Sequence, residues 1–322
     1  MSAENGLVVQ NRGSLYLVKT REGTTYWCKL KGSFKLFGIR TTNPVAVGDW
    51  VLFEMPHPES DTSSDEEAVG WITKISPRRN YMIRRASNLS KQAHILGANL
   101  DRSLLIVTVN FPVTSTTFID RYLATAEAYQ VETALVFNKV DRYHPAEQKM
   151  LQEWTKLYEG IGYRCFSISA KHQEIPQELK EYISTGVTLV SGHSGVGKST
   201  FVNALVPNAS LKTAEISEAH NVGVHTTSFS EMIPYGDEGT AYLIDTPGIK
   251  GFGTIEFERE EVSHYFPEIF VQSKECFFGN CTHIHEPKCA VLSAIKDGVI
   301  AESRYKSYLS ILNDEDDSKY RL

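Results

Sequence analysis

Residues 192–200 have the types and the spacing of a phosphate-binding loop. They read Gly-His-Ser-Gly-Val-Gly-Lys-Ser-Thr and fit the pattern G-x-x-x-x-G-K-[ST]. Glycines let backbone N–H groups surround phosphate oxygens. Lys198 would reach the β- and γ-phosphates, and the Ser199 hydroxyl would ligate Mg²⁺. The predicted phosphate contacts are Gly192, His193, Ser194, Gly195, Val196, Gly197, Lys198, Ser199 and Thr200.

A second motif, Asn138-Lys139-Val140-Asp141, predicts that the base is guanine. The Asp141 carboxylate can accept both N1–H and the exocyclic amine of guanine, and adenine offers no such donor pair. Asn138 would order the loop and contact the base edge, and the Lys139 stem would cover the base face. A further segment supports guanine, because one of its backbone N–H groups can contact O6. It consists of Ser169, Ala170 and Lys171.

The motif Asp245-Thr-Pro-Gly248 predicts contacts to Mg²⁺ and to the γ-phosphate. Asp245 suits a water-mediated Mg²⁺ contact, and the Gly248 N–H suits the phosphate. A polar stretch at residues 209–228 includes Thr226 and Thr227. Either threonine could close over Mg²⁺ in a segment that relaxes after hydrolysis.

Short apolar strands must position these motifs. The pattern predicts strands over residues 104–109, 133–137, 164–168, 187–191 and 241–244, with helical apolar spacing in between. Such alternation indicates a parallel sheet covered by helices on both faces. Each motif directly follows a strand, where ligands bind in open α/β sheets. We expect this domain to span residues 80–255.

Residues 1–79 have the pattern of an all-β domain. Turn signals separate predicted strands at residues 7–11, 15–20, 24–30, 50–54 and 70–75. Five strands without a long helix predict a small barrel of the OB type, a fold whose faces often bind oligonucleotides.

The region of residues 256–322 carries a possible metal site and two predicted helices, over 289–297 and 301–313. Its candidate ligands are Cys276, Cys281, His283 and Cys289. Three cysteines and a histidine form a tetrahedral Zn²⁺ set with no open position, which predicts a structural zinc. His285 is a rival ligand. The remaining cysteines, Cys28 and Cys165, lie in strand patterns and are expected to be buried thiols.

The order of the guanine-nucleotide motifs is unusual. A conventional GTPase runs from the phosphate loop through the threonine switch and D-x-x-G to N-K-x-D and S-A-K. Here N-K-V-D and S-A-K come first. The order predicts a circularly permuted domain, which is physically reasonable because domain termini often lie close together.

Permuted order, G-H-S-G-V-G-K-S-T, G-V-H-T-T and D-T-P-G-I-K-G-F-G together resemble the family of ribosome small-subunit-dependent GTPase A (RsgA). The resemblance covers nearly the whole chain and includes the Cys–Cys–His–Cys zinc arrangement. It implies a multidomain α/β protein with an all-β N-terminal part, a permuted P-loop GTPase domain and a zinc-binding helical domain. It also implies GTP hydrolysis late in small-subunit assembly, contact with 16S rRNA, stimulation by the subunit and coupling to release.

The resemblance also implies a catalytic role for His225. The position after D-T-P-G holds Ile249, which cannot orient water as the glutamine of Ras-like enzymes does. In the family, the histidine of G-x-H-T-T is the suspected substitute, and an imidazole can orient a nucleophilic water. The alternative is that His225 contacts RNA or packs the switch.

Charge and hydropathy limit the class of protein. No window approaches 18 consecutive apolar residues and no secretory signal is visible, so we expect a cytoplasmic protein without membrane contact. We also expect it to be a monomer. The net charge is −6, but nine of the 39 acidic residues lie in residues 59–67 and 314–317. Residues 74–91 hold six basic residues and no acid, and they are a candidate RNA contact or a solvated linker.

Two other functions fit part of the pattern. One is an RNA-binding assembly scaffold that binds nucleotide but scarcely turns it over, which Ile249 slightly favours. The other is a permuted GTPase that serves membranes or the large subunit. The lack of an amphipathic basic helix argues against the membrane version.

Overall fold

The computed structural model describes residues 3–32, 44–56, 69–85, 93–209, 211, 230–236, 240–249 and 257–313. The strands are β1 (Ala3–Arg12), β2 (Leu15–Thr20), β3 (Thr25–Leu30), β4 (Trp50–Glu54), β5 (Gly70–Ile75), β6 (Tyr81–Arg85), β7 (Ala93–Ala98), β8 (Arg102–Val107), β9 (Thr133–Phe137), β10 (Cys165–Ser167), β11 (Gly186–Gly192), β12 (Ser230–Tyr235) and β13 (Ala241–Asp245). The α-helices are α1 (Thr116–Ala128), α2 (Pro145–Ile161), α3 (Gln177–Tyr182), α4 (Lys198–Leu205), α5 (Pro267–Ser273), α6 (Ala290–Lys296) and α7 (Glu302–Leu312). Among these residues, no helix is both long and apolar enough to cross a lipid bilayer.

The first five strands close into a barrel. Their order is β1-β2-β3-β5-β4, and β4 pairs back onto β1. The β3–β5 pair is parallel, and the other barrel pairs are antiparallel. Alternate residues point inward, as β2 shows, where every second side chain is buried. The OB-type barrel predicted from the turn spacing is confirmed.

The second part is a six-stranded sheet in the order β10-β9-β8-β11-β13-β12. All neighbours pair in parallel except β12, which runs antiparallel to β13. Helices α1 and α2 cover one face, and α3 and α4 cover the other. Central strands are therefore buried on both faces, as in β9, where all five residues are buried. This is the predicted doubly covered sheet.

Sequence periodicity did not predict strand β12 or the β6–β7 hairpin. Strand β12 contains Pro234, which lowers the strand signal. It nevertheless joins the two parts of the molecule, because Gln10 and Asn11 of β1 pair with Glu231 and Ser230. The hairpin lies against the barrel, where the Ala98 N–H donates to Val47 O at 2.9 Å.

The third part is a small helical unit formed by residues 257–313. Its core includes Phe266, Ile269 and Tyr308 together with Ala124 of α1, so it rests on the sheet domain. The predicted helices 289–297 and 301–313 correspond to α6 and α7. A buried ion pair fixes α7 to α1, with Arg304 Nη1 2.7 Å from Asp120 Oδ1.

Candidate functional site

The predicted nucleotide motifs meet at one edge of the parallel sheet. The phosphate loop follows β11, the N-K-V-D motif follows β9, S-A-K follows β10 and D-T-P-G continues from β13. Because these four strands are parallel, their carboxyl ends lie at the same edge. Motifs that are far apart in the chain therefore form one site.

Two glycines of the phosphate loop are required by close contacts. At Gly192 the φ angle is +148°, and an added Cβ would lie 2.2 Å from Ile106 O. At Gly197 φ is +99°, and an added Cβ would lie 2.4 Å from Asn138 Nδ2. Residues with a Cβ rarely adopt such φ values. The loop shape thus depends on glycine at both positions.

Lys198 is held inside the loop. Its Nζ donates to the carbonyl oxygens of Gly192 at 3.0 Å and His193 at 2.9 Å. Burial lowers the pKa of the Lys198 ammonium to about 8, although nearby Asp245 acts to raise it. A phosphate group would supply the negative charge that offsets this desolvation. The lysine is therefore placed to bind an anion.

The other phosphate-loop residues surround this lysine. Val196 is fully buried under the loop, and Ser199 is buried at the start of α4. The half-buried members are His193, Ser194, Gly195, Gly197 and Thr200. The loop thus keeps a polar, partly accessible inner surface above an apolar base.

The D-T-P-G segment lies directly on the phosphate loop. An added Cβ at Gly248 would lie 2.7 Å from Ser194 Cα. The next residue, Ile249, donates its N–H to Gly192 O at 3.1 Å, and its carbonyl oxygen lies 2.8 Å from His193 Nδ1. Asp245 is completely buried at the end of β13. A buried carboxylate at this edge of the sheet suits the oxygen preference of Mg²⁺.

Asn138 links three loops of the site. Its Nδ2 donates to Val196 O at 2.8 Å, and its Oδ1 accepts from the Ala170 N–H at 3.0 Å and from the Lys139 N–H at 2.8 Å. These hydrogen bonds fit the predicted ordering role, and contact of Asn138 with the base edge stays a prediction. The Asn138 amide joins the phosphate loop to the two predicted guanine segments.

Lys139 makes a second link to the phosphate loop, and it also contacts Phe111, a residue that the sequence motifs did not indicate. Its Nζ donates to Gly195 O at 2.6 Å and to Phe111 O at 2.7 Å. Burial lowers the pKa of Lys139 to about 8, and the positive charge of nearby Arg142 is a second, smaller cause. The Arg142 guanidinium lies 4.5 Å from the centre of the Phe111 ring. Phe111 belongs to no motif, so only the fold reveals it.

Asp141 is oriented by Ser169. The two side-chain oxygens lie 2.5 Å apart, and Ser169 is fully buried. The Asp141 side chain is 24% exposed, so it is open at the site. His172 Nε2 lies 3.5 Å from Asp141 Oδ2 and is a further candidate site residue that sequence reasoning missed. Lys171 is exposed beside them.

Three predicted residues lie outside the described part of the chain. They are His225, Thr226 and Thr227. Their roles as water-orienting residue and as Mg²⁺ ligands stay predictions.

The four predicted metal ligands come together in the third unit. The ligand atoms of Cys276, Cys281, His283 and Cys289 all lie within 4.8 Å of one another. His283 Nδ1 is 3.6 Å from Cys276 Sγ and 3.5 Å from Cys289 Sγ, and the two sulfurs are 3.8 Å apart. A tetrahedral Zn²⁺ with ordinary bond lengths needs S–N and S–S separations of about 3.6 and 3.8 Å. The cluster is compatible with a structural zinc.

The surrounding residues hold the cluster in place. His283 is buried, whereas the rival His285 is exposed and is not part of the cluster. The Glu286 carboxylate accepts from the N–H groups of Thr282 at 2.7 Å and Ile284 at 2.9 Å. Burial acts to raise the pKa of Glu286, but these hydrogen bonds together lower it. The Tyr305 hydroxyl donates to His283 O at 2.7 Å.

The other two cysteines are set apart from this cluster. Cys28 is fully buried and Cys165 is half-buried. Burial raises the pKa of each thiol to about 12. Both therefore stay protonated and unreactive at neutral pH.

Two arginines of the basic segment at residues 74–91 form ion pairs within the protein. Arg78 makes two 2.7 Å hydrogen bonds to the Asp49 carboxylate, and Arg79 Nη2 lies 2.8 Å from Asp101 Oδ1. Arg78 and Arg79 lie between β5 and β6, so the first pair holds this segment to the barrel and the second holds it to the sheet domain. Lys74 is exposed, and Lys91 is outside the described residues. RNA contact by this run stays a prediction.

Two family models match the chain. One, described as RsgA GTPase, matches residues 75–255, and the other, described as RsgA N-terminal domain, matches residues 5–62. Together they span the barrel strands up to β4 and the sheet domain.

Several known proteins are similar over almost the whole length. A Phocaeicola vulgatus protein described as small ribosomal subunit biogenesis GTPase RsgA is 55% identical, and the match covers 98% of both chains. A Bacteroides fragilis protein of the same description is 56% identical over 98% of both.

Solved structures agree with the fold. YjeQ from Thermotoga maritima has a TM-score of 0.68 and 32% identity, covering 97% of this chain and 98% of its own. YloQ, described as a circularly permuted GTPase, has a TM-score of 0.66 at 24% identity, covering 100% and 97%. The second likeness bears on the fold alone. Taken with the site geometry and the matches at more than half sequence identity, these findings place the chain in the RsgA GTPase family.

Proposed function

We propose that this protein hydrolyses GTP during biogenesis of the small ribosomal subunit and binds the subunit through its 16S rRNA. Family membership supports the reaction, and the description of the relatives supports the process. The observation that carries the proposal is the 2.8 Å hydrogen bond from Asn138 Nδ2 to Val196 O. It joins the guanine motif to the phosphate loop, so one ligand can contact both.

Different residues contact the base, the phosphates and the Mg²⁺ of bound GTP. Asp141 accepts from the guanine edge and is held by Ser169. Lys198 and the loop N–H groups offset the phosphate charge, and the Gly248 N–H is a candidate γ-phosphate donor. Bound Mg²⁺ supplies further neutralisation of the phosphates. Its candidate protein ligands are Ser199 and either Thr226 or Thr227, with Asp245 in contact through a water molecule.

Multiple-turnover phosphate release tests the function. We expect slow release by the protein alone and a large increase when isolated small subunits are added. Lys198→Ala is the matched negative control, because it removes the phosphate contact at the same site. Binding of GTP without turnover, with or without subunits, would instead support the scaffold function.

We also propose that His225 orients the attacking water. The resemblance to the family supports this role, and Ile249 has no group that could replace it. We expect His225→Ala to abolish subunit-stimulated turnover while the Kd for GTP stays the same. Full stimulated turnover in this variant would refute the role.

Two finer properties belong to the same proposal. We expect one zinc ion per chain, held by the Cys276, Cys281, His283 and Cys289 cluster, and a cytoplasmic monomer. Metal analysis of the purified protein tests the first. Light scattering after gel filtration tests the second.

A further inference from the structure

The residue after the D-T-P-G motif is attached to the phosphate loop at two points. The Ile249 N–H donates to Gly192 O at 3.1 Å, and the Ile249 carbonyl oxygen lies 2.8 Å from His193 Nδ1. Because a carbonyl oxygen only accepts, Nδ1 carries a hydrogen and is the donor. His193 and Ile249 also form a short parallel backbone bridge. The histidine side chain therefore adds a hydrogen bond to a backbone contact between the two motifs.

The imidazole of His193 is itself held in position. Its ring stacks on the Phe118 ring of α1, with centroids 3.8 Å apart and an angle of 27° between the ring planes. Phe118 is almost completely buried, and its backbone N–H donates to the Ser115 hydroxyl at the start of α1 at 3.2 Å. The imidazole cannot turn away from Ile249 without losing this stack. The hydrogen bond to the Ile249 carbonyl oxygen is thus preorganised.

Ile249 in turn fixes the position of the preceding glycine. Its side chain is completely buried in the same apolar core as Phe118. Gly248 passes close to the phosphate loop, where an added Cβ would lie 2.7 Å from Ser194 Cα. The Gly248 N–H, the candidate γ-phosphate donor, is thus placed by this contact and by the anchored Ile249. Since N–H···O bonds have lengths of about 2.7–3.2 Å, a small shift of the segment would weaken the γ-phosphate contact.

The phosphate-loop motif does not by itself explain the histidine. Position 193 is the first open position of G-x-x-x-x-G-K-[ST], and the loop surrounds the α- and β-phosphates with backbone N–H groups that need no imidazole. The His193 side chain instead contacts the segment proposed to bind the third phosphate. GTP and GDP differ only in that phosphate. An interaction that places the Gly248 N–H should therefore change the affinity for GTP and leave the affinity for GDP as it is.

We propose that His193 is a positioning residue that holds the D-T-P-G segment on the phosphate loop and thereby favours a nucleoside triphosphate over the diphosphate. The imidazole acts through the Ile249 carbonyl oxygen and the Gly248 N–H. This inference rests on the proposed function and names a residue that sets the preference for GTP at the same site.

Three full-length variants separate the parts of this contact. His193→Ala removes the hydrogen bond and the stack without adding volume. His193→Phe keeps a ring on Phe118 and removes the Nδ1–H donor. His193→Asn keeps an amide N–H near the place of Nδ1 and removes the stack. His264→Phe is the matched control, because His264 is exposed on the small helical unit.

Titration with GDP and with a slowly hydrolysed GTP analogue, both in the presence of Mg²⁺, gives the ratio of the two Kd values for each variant. We expect His193→Ala and His193→Phe to lose about fivefold to tenfold of the preference for the analogue, because a hydrogen bond to the charged γ-phosphate is weakened. Their Kd for GDP should stay close to the wild-type value. His193→Asn should keep most of the preference, and His264→Phe should keep all of it.

Three results would overturn the inference. One is an unchanged ratio in His193→Ala. Another is an equal loss of affinity for GDP and for the analogue, which would mean that the side chain only maintains the loop. The third is a stronger preference for the analogue, because the contact would then oppose γ-phosphate binding. Circular dichroism establishes that each variant is folded, and if His193→Phe is not, His193→Ala and His193→Asn decide the question.

Phosphate release by the wild-type protein separates this inference from the proposed function. A wild type that releases no phosphate from GTP in the presence of small subunits contradicts the proposed function. A wild type that turns over GTP, beside a His193→Ala variant with an unchanged ratio of Kd values, contradicts only the role of His193.

Discussion

At the residue scale, Gly197 controls how closely the phosphate loop approaches the guanine motif. Replacing Gly197 by alanine would place a Cβ 2.4 Å from Asn138 Nδ2, at a φ of +99°. We expect this variant to lose at least about tenfold in GTP affinity, because the strain and the lost Asn138 hydrogen bond together cost about 1–3 kcal/mol or more. Isothermal titration with a slowly hydrolysed GTP analogue measures it.

Gly160 offers a matched control for that substitution. It lies within α2, and nothing lies within 4 Å of an added Cβ. Gly160→Ala should therefore leave GTP affinity unchanged and raise helix stability by up to about 1 kcal/mol. Equal GTP affinities for the two variants would contradict the role of Gly197.

Asp141 should determine base preference. In Asp141→Asn the side chain offers an N–H donor where the carboxylate accepted the guanine amine. We expect GTP affinity to fall by about 100-fold or more and xanthosine triphosphate, which has a carbonyl at that position, to bind better than GTP. Competition with a fluorescent guanine nucleotide measures both. Retained preference for GTP would show that Asp141 does not read the base.

The buried lysines predict a pH dependence of nucleotide binding. Burial lowers the pKa of Lys198 to about 8, and bound phosphate favours its charged form. Above about pH 8 the free protein loses this proton and must regain it on binding, so affinity should fall by up to about tenfold per pH unit. Titrations of GDP between about pH 7 and 9 test this. Lys198→Met should bind GDP weakly, and its affinity should change less with pH. If its affinity fell with pH as steeply as that of the wild type, the titrating group would be another residue, for example Lys139.

At the scale of elements, the contact between α1 and α7 depends on a buried charge network. Asp120 accepts from Arg304 at 2.7 Å, from Ser307 at 2.6 Å and from Tyr158 at 2.9 Å. Burial alone would lower the pKa of Arg304, but Asp120 and then Glu268 hold it well above its ordinary value. The arginine therefore stays charged and needs its partners.

We expect Asp120→Ala to destabilise the protein by about 3–5 kcal/mol, because it leaves Arg304 buried without its main partner. Adding Arg304→Met should recover part of this loss. Urea unfolding followed by circular dichroism measures the cycle. The exposed pair of Glu302 and Lys306 on the same helix is the control, and its removal should cost less than about 0.5 kcal/mol. Additive losses at Asp120 and Arg304 would contradict the coupling.

Elements with a clear period were predictable from sequence, and elements held by tertiary contacts were not. The barrel strands and the parallel strands alternate or run apolar, so their positions agree with the structure to within a few residues. Strand β12 carries Pro234 and the β6–β7 hairpin lacks clean alternation. Both form because the barrel and the sheet provide partners.

The same distinction applies to the site. The predicted phosphate, guanine and metal residues occur in short sequence motifs, whose residue types and spacing indicate the chemistry. Phe111 and His172 reach the site only through the fold, since neither belongs to a motif. The ion pair between Arg78 and Asp49 likewise could not be predicted from sequence. Because Arg78 is used in this pair, one basic residue fewer is available for the predicted RNA contact.

At the scale of the whole molecule, the nucleotide site is linked to both the barrel and the C-terminal helical unit. Strand β1 of the barrel pairs with β12, and β12 pairs with the strand that leads into D-T-P-G. On the other side, the ring of Phe118 in α1 stacks on His193 at 3.8 Å, and α1 holds the C-terminal helical unit through Asp120. The fold thus connects the phosphate loop to both outer parts through a succession of contacts.

Net charge was a poor guide to the partner. The value of −6 argues against RNA, yet nine acidic residues lie in two short segments and affinity depends on local cations facing phosphate. Charge distribution is compatible with an RNA-rich partner.

Sedimentation with ribosomal particles, in the presence of a non-hydrolysable GTP analogue, shows which particle the protein binds. The proposed function predicts co-migration with the small subunit alone on a sucrose gradient, and loss of that co-migration in Lys198→Ala. Co-migration with the large subunit, or with no particle, would contradict it.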